Sequence, residues 1–306
     1  MKNKEKIAAN VVTYNRKDLL RECLNSLLAQ TRKPDSIIIV DNNSTDGTKE
    51  MVEKEFLKNP IFDYVRLNEN TGSAGGQYTG IKRAYEKGFD WVWCMDDDVV
   101  AKKTALEELI KLKDVIYKAD KKKVGFICSR VISEHGKEMN VPTIDKKAVF
   151  GEYPVWGKFL EIGAIKVSQA TFVSIMFSKD AIKDLGLPLK KMFIWGDDTE
   201  YTLRISKKYH CYLCGKSLVI HKRKLEKPLS IFAENDINRL KNFYFSYRNS
   251  LYISKKYDQW PQVLFNYFRV FFHMIKIISK PGVNKTIKMK MIYRGAKDSI
   301  TQNLEN

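Results

Sequence analysis

A single α/β core, with a mostly parallel sheet and helices on both faces, followed by a C-terminal helical extension, is the fold class the sequence predicts. Three observations predict it. Short β-type runs alternate with helical stretches through the first 130 residues, and strands separated by helical crossovers pair in parallel. At 44% hydrophobic and 12% aromatic over 306 residues, the chain can fill a large core. Beyond His221 the composition shifts towards aromatics and lysines of helical period.

Element by element, Ile7–Thr13 reads as a strand, and Lys17–Gln30 as a helix with Leu20, Cys23, Leu24, Leu27 and Leu28 on one face. Ser36–Val40 is an apolar strand, followed by the turn-rich Asp41–Gly47 and a helix from Thr48. Tyr64–Leu67 reads as a strand, Gly75–Lys87 as a helix, and Trp91–Met95 as a strand ending in Asp96-Asp97-Asp98. Leu106–Ala119 is helical and Val124–Ser129 extended. From Arg130 to Val167 the pattern loosens; a strand at Thr171–Phe177, a helix from Ser178, another ending near Tyr209 and a strand at Cys214–Ile220 follow. The change of character places a boundary near residue 225, giving a domain 1–225 and a helical, basic region 226–306.

Lysine and arginine number 54 against 36 aspartates and glutamates, a net charge of +18. Such a surplus suits a polyanionic partner: nucleic acid, an anionic membrane face or a phosphorylated substrate. Five cysteines do not make a secreted disulfide framework. The basic N-terminus lacks the apolar core of a signal peptide, and no run of about eighteen uncharged apolar residues offers a membrane span. A cytoplasmic protein is the expectation.

Ligands of open α/β sheets bind beyond the carboxyl ends of the strands. Asp41, the Asn68–Gly76 stretch and the Asp triplet all fall there by position. Three adjacent carboxylates repel one another unless a cation neutralises them. In an extended strand end Asp96 and Asp98 point one way and Asp97 the other, so the pair could share Mg2+ or Mn2+; a solvated acidic turn is the alternative. Asn70-Thr-Gly-Ser-Ala-Gly75-Gly76 permits close backbone approach and opens a helix whose amides could face an anion. It matches neither the dinucleotide nor the P-loop motif. In Trp195-Gly-Asp197-Asp198-Thr-Glu200, Asp197 with Glu200 has capping-box spacing, leaving Asp198 as a candidate general base. His221, after an apolar strand, is a candidate third metal ligand or a structural histidine. Cys211-x-x-Cys214 between His210 and His221 raises a zinc site, but no second cysteine pair accompanies it.

With these residues in view, the chain resembles a family 2 glycosyltransferase of the GT-A fold. Val11-Val-Thr-Tyr-Asn-Arg16, Ile38–Gly47, Asp96-Asp-Asp98 and Trp195-Gly-Asp-Asp198 carry the likeness across residues 7–225. Asn68–Gly76, the Trp195–Tyr201 stretch and Tyr247-Arg-Asn249 are similar to bacterial galactofuranosyl- and rhamnosyltransferases. Relatives can read Trp-Asp-Asp directly where this chain inserts Gly196. The resemblance implies that Thr13, Asn15, Asp41 and Asp97 line the donor site, with Asn70, Gly75 and Gly76 near the diphosphate and sugar. Asp96, Asp98 and His221 would hold Mn2+ or Mg2+, Trp195 and Asp197 would meet the acceptor, and Asp198 would be the base. It implies an inverting transfer from a UDP- or dTDP-linked donor, galactofuranose or rhamnose, onto a glycan or lipid-diphosphate-linked acceptor of bacterial cell-surface polysaccharide.

Gln262, Asn266, Arg269, His273, Lys276 and Lys280 recur at helical spacing as a polar stripe beside a wide apolar face that includes Trp260, Phe265, Phe268 and Phe272. The apolar face could pack on the first domain, on a second copy in a homo-oligomer, or lie on an anionic membrane at the inner face of the cell. Residues 260–306 carry eight basic against two acidic side chains. Two other functions share some of these features. A sugar-nucleotide-forming nucleotidyltransferase would need a glycine-rich first loop, which Thr13-Tyr-Asn-Arg16 lacks. A nucleic-acid-binding protein would group its basic residues with stacking aromatics, and no such motif is present, so no nucleic-acid partner is expected.

Overall fold

A computed structural model of the chain describes residues 5–120, 123–147, 152–223 and 229–305. The anticipated boundary at 225/226 lies outside the described residues.

β1 (Ile7–Thr13), buried along its whole length, is the centre of the N-terminal half. α1 (Lys17–Leu28), β2 (Ser36–Asp41), α2 (Thr48–Glu55), β3 (Phe62–Arg66), α3 (Gly72–Glu86) and β4 (Trp91–Asp96) follow. β3, β2, β1 and β4 lie side by side and pair in parallel. Alternate residues of β1 enter different layers. Ile7, Ala9 and Val11 pack with Leu20, Leu24 and Leu27 of α1 and Val52 of α2, while Ala8 and Val12 pack with Ile81 and Ala84 of α3. Both faces are therefore covered, which is why these strands are apolar runs rather than alternating ones.

The chain continues through β5 (Val99–Ala101), α4 (Ala105–Asp120), β6 (Val124–Ile132), the short β7 (Glu138–Met139) and β8 (Thr143–Ile144), β9 (Ala164–Gln169), β10 (Ser174–Ser178), α5 (Lys179–Leu185), α6 (Asp197–Ser206) and β11 (His210–His221). The sheet order is β3-β2-β1-β4-β10-β6-β11-β9-β8. The sheet is mixed rather than mostly parallel: β10 enters antiparallel to both β4 and β6. Between β6 and β10 the described residues hold short strands and one 3-10 turn but no α-helix, so no helical crossover imposes parallel pairing there. The antiparallel β5–β11 pair sets Val99 opposite His221, bringing a residue from late in the chain beside the Asp triplet.

α7 (Ile237–Tyr257), α8 (Trp260–Ser279) and α9 (Lys285–Thr301) share a core of Leu240, Tyr247, Leu251, Val270, Ile277 and Ile292, against which Trp195 packs. A smaller cluster, with Tyr252 and Ile253 against Ala74, Leu189 and Met192, joins these helices to the sheet body.

The polar stripe read on α8 is divided. Asn266 is buried and donates to Ser254, and His273 Nδ1 meets the Tyr247 hydroxyl at 2.8 Å, so part of the stripe faces the protein. The apolar residues Trp260, Leu264, Phe265, Phe268, Phe271, Phe272, Ile275 and Ile278 are instead 44–74% exposed. Among the described residues, that face does not pack on the first domain. No helix among the described residues is long and apolar enough to cross a membrane.

Candidate active site

Register places Thr13 beside Asp41 and Val12 beside Asp96, so the carboxyl ends of β1, β2 and β4 form one row. Thr13 Oγ1 donates to Asp97 at 2.8 Å. Asp41, fully buried, accepts from the Ser44 amide and the Tyr64 hydroxyl at 2.8 and 2.7 Å. Asn15, at φ 54°, accepts from the Thr45 amide at 2.7 Å while its own amide donates to Ser44. These three residues sit together at the carboxyl ends of β1 and β2, with Thr13 and Asp41 buried and Asn15 exposed.

Asp96, Asp98 and His221 converge so that one ligand atom from each lies within 4.8 Å of the others. His221 Nε2 is 3.1 Å from Asp98 Oδ1, a buried oxygen that nevertheless has no aligned hydrogen-bond donor. His221 Nδ1 is 2.9 Å from the amide oxygen of Asn140. With Nδ1–H donating to that oxygen, Nε2 is the ring nitrogen that faces the two carboxylates and is available to a metal once deprotonated, as an outer partner arranges for a metal-ligating histidine. Two hard oxygen donors, an oriented imidazole and an orphaned buried carboxylate oxygen fit a divalent cation.

Electrostatics follow from crowding. Burial and the neighbouring Asp98 raise the pKa of Asp96 against the opposing charges of His221 and Arg16, with Asp198 a smaller raising charge. Burial pushes Asp97 up to about 7, opposed by Arg16. For Asp98 burial is outweighed by His221 and Arg16, which hold it below the ordinary carboxylate range. His221 is raised: Asp98 and Asp96 outweigh its burial.

Sequence reasoning gave Arg16 no role, yet its Nη1 lies 3.2 Å from Asp97 and 2.9 Å from Asp98, supplying a cation to the triplet. Its sign and its place in the loop after β1, opposite three acids, were the available signal.

Asp197 and Asp198 open α6 after an unusual loop. Phe193, Trp195 and Gly196 all have positive φ, at 63°, 61° and 104°. For bulky residues this backbone is strained and persists only when its surroundings hold it. Asn249 on α7 supplies the hold: its side-chain amide donates to the carbonyls of Met192, Ile194 and Trp195 at 2.9, 3.1 and 2.7 Å. Arg248 donates to the Lys191 carbonyl at 2.7 Å. The expected capping box does not form. Gly196, with no side chain, is the N-cap, and Glu200 is taken by Arg204 and the Tyr257 hydroxyl. Asp197 is buried with an unpartnered Oδ2, and burial together with Asp198 pushes its pKa well up. Asp198 accepts from the Thr199 amide and is raised chiefly by burial. In this pair Asp198, which has the Thr199 donor that Asp197 Oδ2 lacks, is the better candidate for the ionised base.

The glycine-rich stretch is more helical than read, since α3 begins at Gly72, where Asn70 accepts from the Gly72 amide at 2.9 Å. Asn70 is exposed, whereas Gly75 and Gly76 are buried in the first turns. A Cβ on Gly76 would lie 2.3 Å from Val12, so that glycine permits helix–strand contact, and one on Gly75 would lie 2.2 Å from Thr71, so that one clears the helix's own N-cap side chain. The amides of Thr71, Gly72 and Ala74 already donate to Asn42, Asn70 and the Phe193 carbonyl. The same Phe193 carbonyl ties this stretch to the Asp197–Asp198 loop.

Cys211 and Cys214 lie within β11, three residues apart, and pack into different core layers. Facing apart, they cannot hold one zinc ion. A cavity of about 340 Å3 lies behind Trp195, lined also by Thr199, Ser246, Ser250 and Asn266 and by none of the metal-group residues.

Residues 10–149 match the family model described as "Glycosyl transferase family 2". The chain is 37% identical over 98 residues to Galactofuranosyltransferase GlfT1 of Mycolicibacterium smegmatis, covering 32% of each chain. It is 29% identical over 190 residues to Poly-beta-1,6-N-acetyl-D-glucosamine synthase of Staphylococcus aureus, covering 60% of this chain and 42% of that one. The chain thus spans about a third of the length of the galactofuranosyltransferases it matches. Among solved structures, GalNAc-T7 with UDP, GalNAc and Mn2+ superposes at TM-score 0.62, with 15% identity, over 95% of this chain and 55% of that one. S. aureus TarS residues 1–349 superpose at TM-score 0.58, with 15% identity, over 96% and 82%. Strand-end acids, mixed sheet and sequence match agree: residues 10–149 are similar to glycosyl transferase family 2, and the chain has a GT-A-like fold.

Proposed function

We propose that the protein is a metal-dependent, inverting glycosyltransferase that moves a sugar from a nucleoside-diphosphate donor onto a hydroxyl of a glycan or lipid-diphosphate-linked acceptor. The observation that carries this reading is the convergence of Asp96, Asp98 and His221 at the strand ends. Thr13, Asn15 and Asp41 form the wall on which the nucleoside is read. When bound, Mn2+ or Mg2+ on the Asp96–Asp98–His221 group would neutralise the departing diphosphate. Asp198 accepts the proton of the acceptor hydroxyl as its oxygen bonds to the anomeric carbon and the bond from that carbon to the diphosphate oxygen breaks on the opposite face. Trp195 and Asp197 flank the acceptor. Galactofuranose from UDP-galactofuranose is the favoured donor sugar, supported by the similarity to galactofuranosyltransferases, with rhamnose from dTDP-rhamnose next. Synthesis of a bacterial cell-surface polysaccharide at the inner face of the membrane is the setting this implies. A panel of sugar nucleotides assayed for Mn2+-dependent hydrolysis and transfer tests the reading: one UDP- or dTDP-sugar should stand out, and metal-independent turnover or none across the panel would overturn it.

A further inference from the structure

α8 has three faces rather than two. Around its axis Val263, Asn266, Val270 and Ile277 are buried against the other helices. Trp260, Leu264, Phe265, Phe268, Phe271, Phe272, Ile275 and Ile278 form an uninterrupted exposed arc of about 140° at helical spacing. Between them, on one edge of the arc, run Gln262, Arg269, Lys276 and Lys280. The helix contains no acidic residue, and Lys285 Nζ closes its end by donating to the Ile278 carbonyl at 3.0 Å. Soluble surfaces rarely leave so many large apolar side chains contiguous, so the face has an occupant.

We propose that α8 docks the protein on an anionic membrane surface, lying in the interface plane with its aromatic arc among the acyl chains and its basic edge against the phosphate headgroups. Charge complementarity selects this occupant. A second copy meeting the same face about a twofold axis would bring the basic edges together with no carboxylate on the helix to answer them. An anionic leaflet answers all of them, and an aromatic face rimmed by Lys and Arg is what interfacial helices present. Asn266, on the buried side opposite the exposed arc, lines the cavity behind Trp195, so α8 packs against the loop that delivers Asp198 with its other face. The docking extends the reading of a lipid-linked acceptor but does not depend on it.

Flotation of the full chain with vesicles of phosphatidylcholine alone, or mixed with phosphatidylglycerol, tests the proposal without donor, metal or acceptor. The mixed vesicles should capture the protein, with capture falling at high salt, and pure phosphatidylcholine should capture far less. Phe268→Ser with Phe272→Ser, at exposed positions, should keep the circular dichroism spectrum and lower partitioning about tenfold or more. Arg269→Gln with Lys280→Gln should remove the preference for anionic lipid. No capture by mixed vesicles, or equal capture of the wild type and the Phe268/Phe272 variant, would overturn the proposal. So would self-association in sedimentation that the Phe268/Phe272 variant abolishes while wild-type vesicle capture is absent. Failure of the donor panel alongside normal capture would discard the enzymatic reading and leave the docking intact.

Discussion

Asp198 differs from Asp197 by what each carboxylate meets. Asp198 has a donor in the Thr199 amide, whereas Asp197 has a buried oxygen with none, so only the former can carry charge at modest cost. Asp198→Asn should therefore lower transfer by roughly 10²- to 10⁴-fold while leaving nucleotide affinity near wild type, measured by product formation and calorimetry. Asp96→Ala with Asp98→Ala should abolish the Mn2+-dependent part of nucleotide binding. The wild-type dependence on pH has a definite sign. Only the deprotonated carboxylate binds metal, and Asp96 is held above the ordinary aspartate range by burial and Asp98. Mn2+ affinity should thus fall on acidification at a higher pH than a solvent-exposed carboxylate pair would show, and calorimetry across pH reads this directly. These acids were legible because unpaired carboxylates after an apolar strand are conspicuous. Asn140 was not, because nothing in its neighbourhood announces that it will meet a histidine 81 positions away.

At the scale of elements, strand and helix order was readable because sheet strands covered on both faces must be apolar, and the turns between them are rich in Asp, Asn and Gly. What sequence could not supply was which helix holds which loop. Asn249 satisfies three carbonyls of a strained segment fifty-odd residues earlier, and its amide is an ordinary helical asparagine until the packing is known. Asn249→Ala would remove the donor to the part-buried Ile194 and Trp195 carbonyls, while the Met192 carbonyl keeps the Ile194 amide and Arg248, at a cost of about 1–3 kcal/mol in all. The expected result is a clear drop in melting temperature and a fall in kcat with little change in the donor KM. Asn249→Asp, which keeps the shape but lacks the donor hydrogens, should resemble the alanine variant.

Over the whole molecule, one core lies on the two faces of the sheet and another among the three C-terminal helices. The second has its own link to pH. Burial, with Arg269 and Lys276 nearby, lowers the pKa of His273, which meets the Tyr247 hydroxyl and packs edge-on to Phe232. The unfolded chain then binds a proton more readily than the folded one below about pH 6.5, so stability is complete above that value and declines as the pH falls through it. Melting curves of His273→Gln should lose that part of the acid sensitivity while matching the wild type more closely at neutral pH. The orientation of α8 was the largest feature hidden from sequence. A helix with both an apolar arc and a polar stripe is ordinarily packed by its apolar side, and only the neighbouring helices reveal that Asn266 and His273 point inwards.

Gly72 and Phe193 touch so closely that a β-carbon at 72 would sit 2.1 Å from the Phe193 carbonyl oxygen, the same oxygen that receives the Ala74 amide. Two segments 121 positions apart are in this sense a single heritable unit. A side chain gained at one would have to be matched by a backbone change at the other, and the loop bearing the acids could not drift in length or shape without dragging the start of α3 with it.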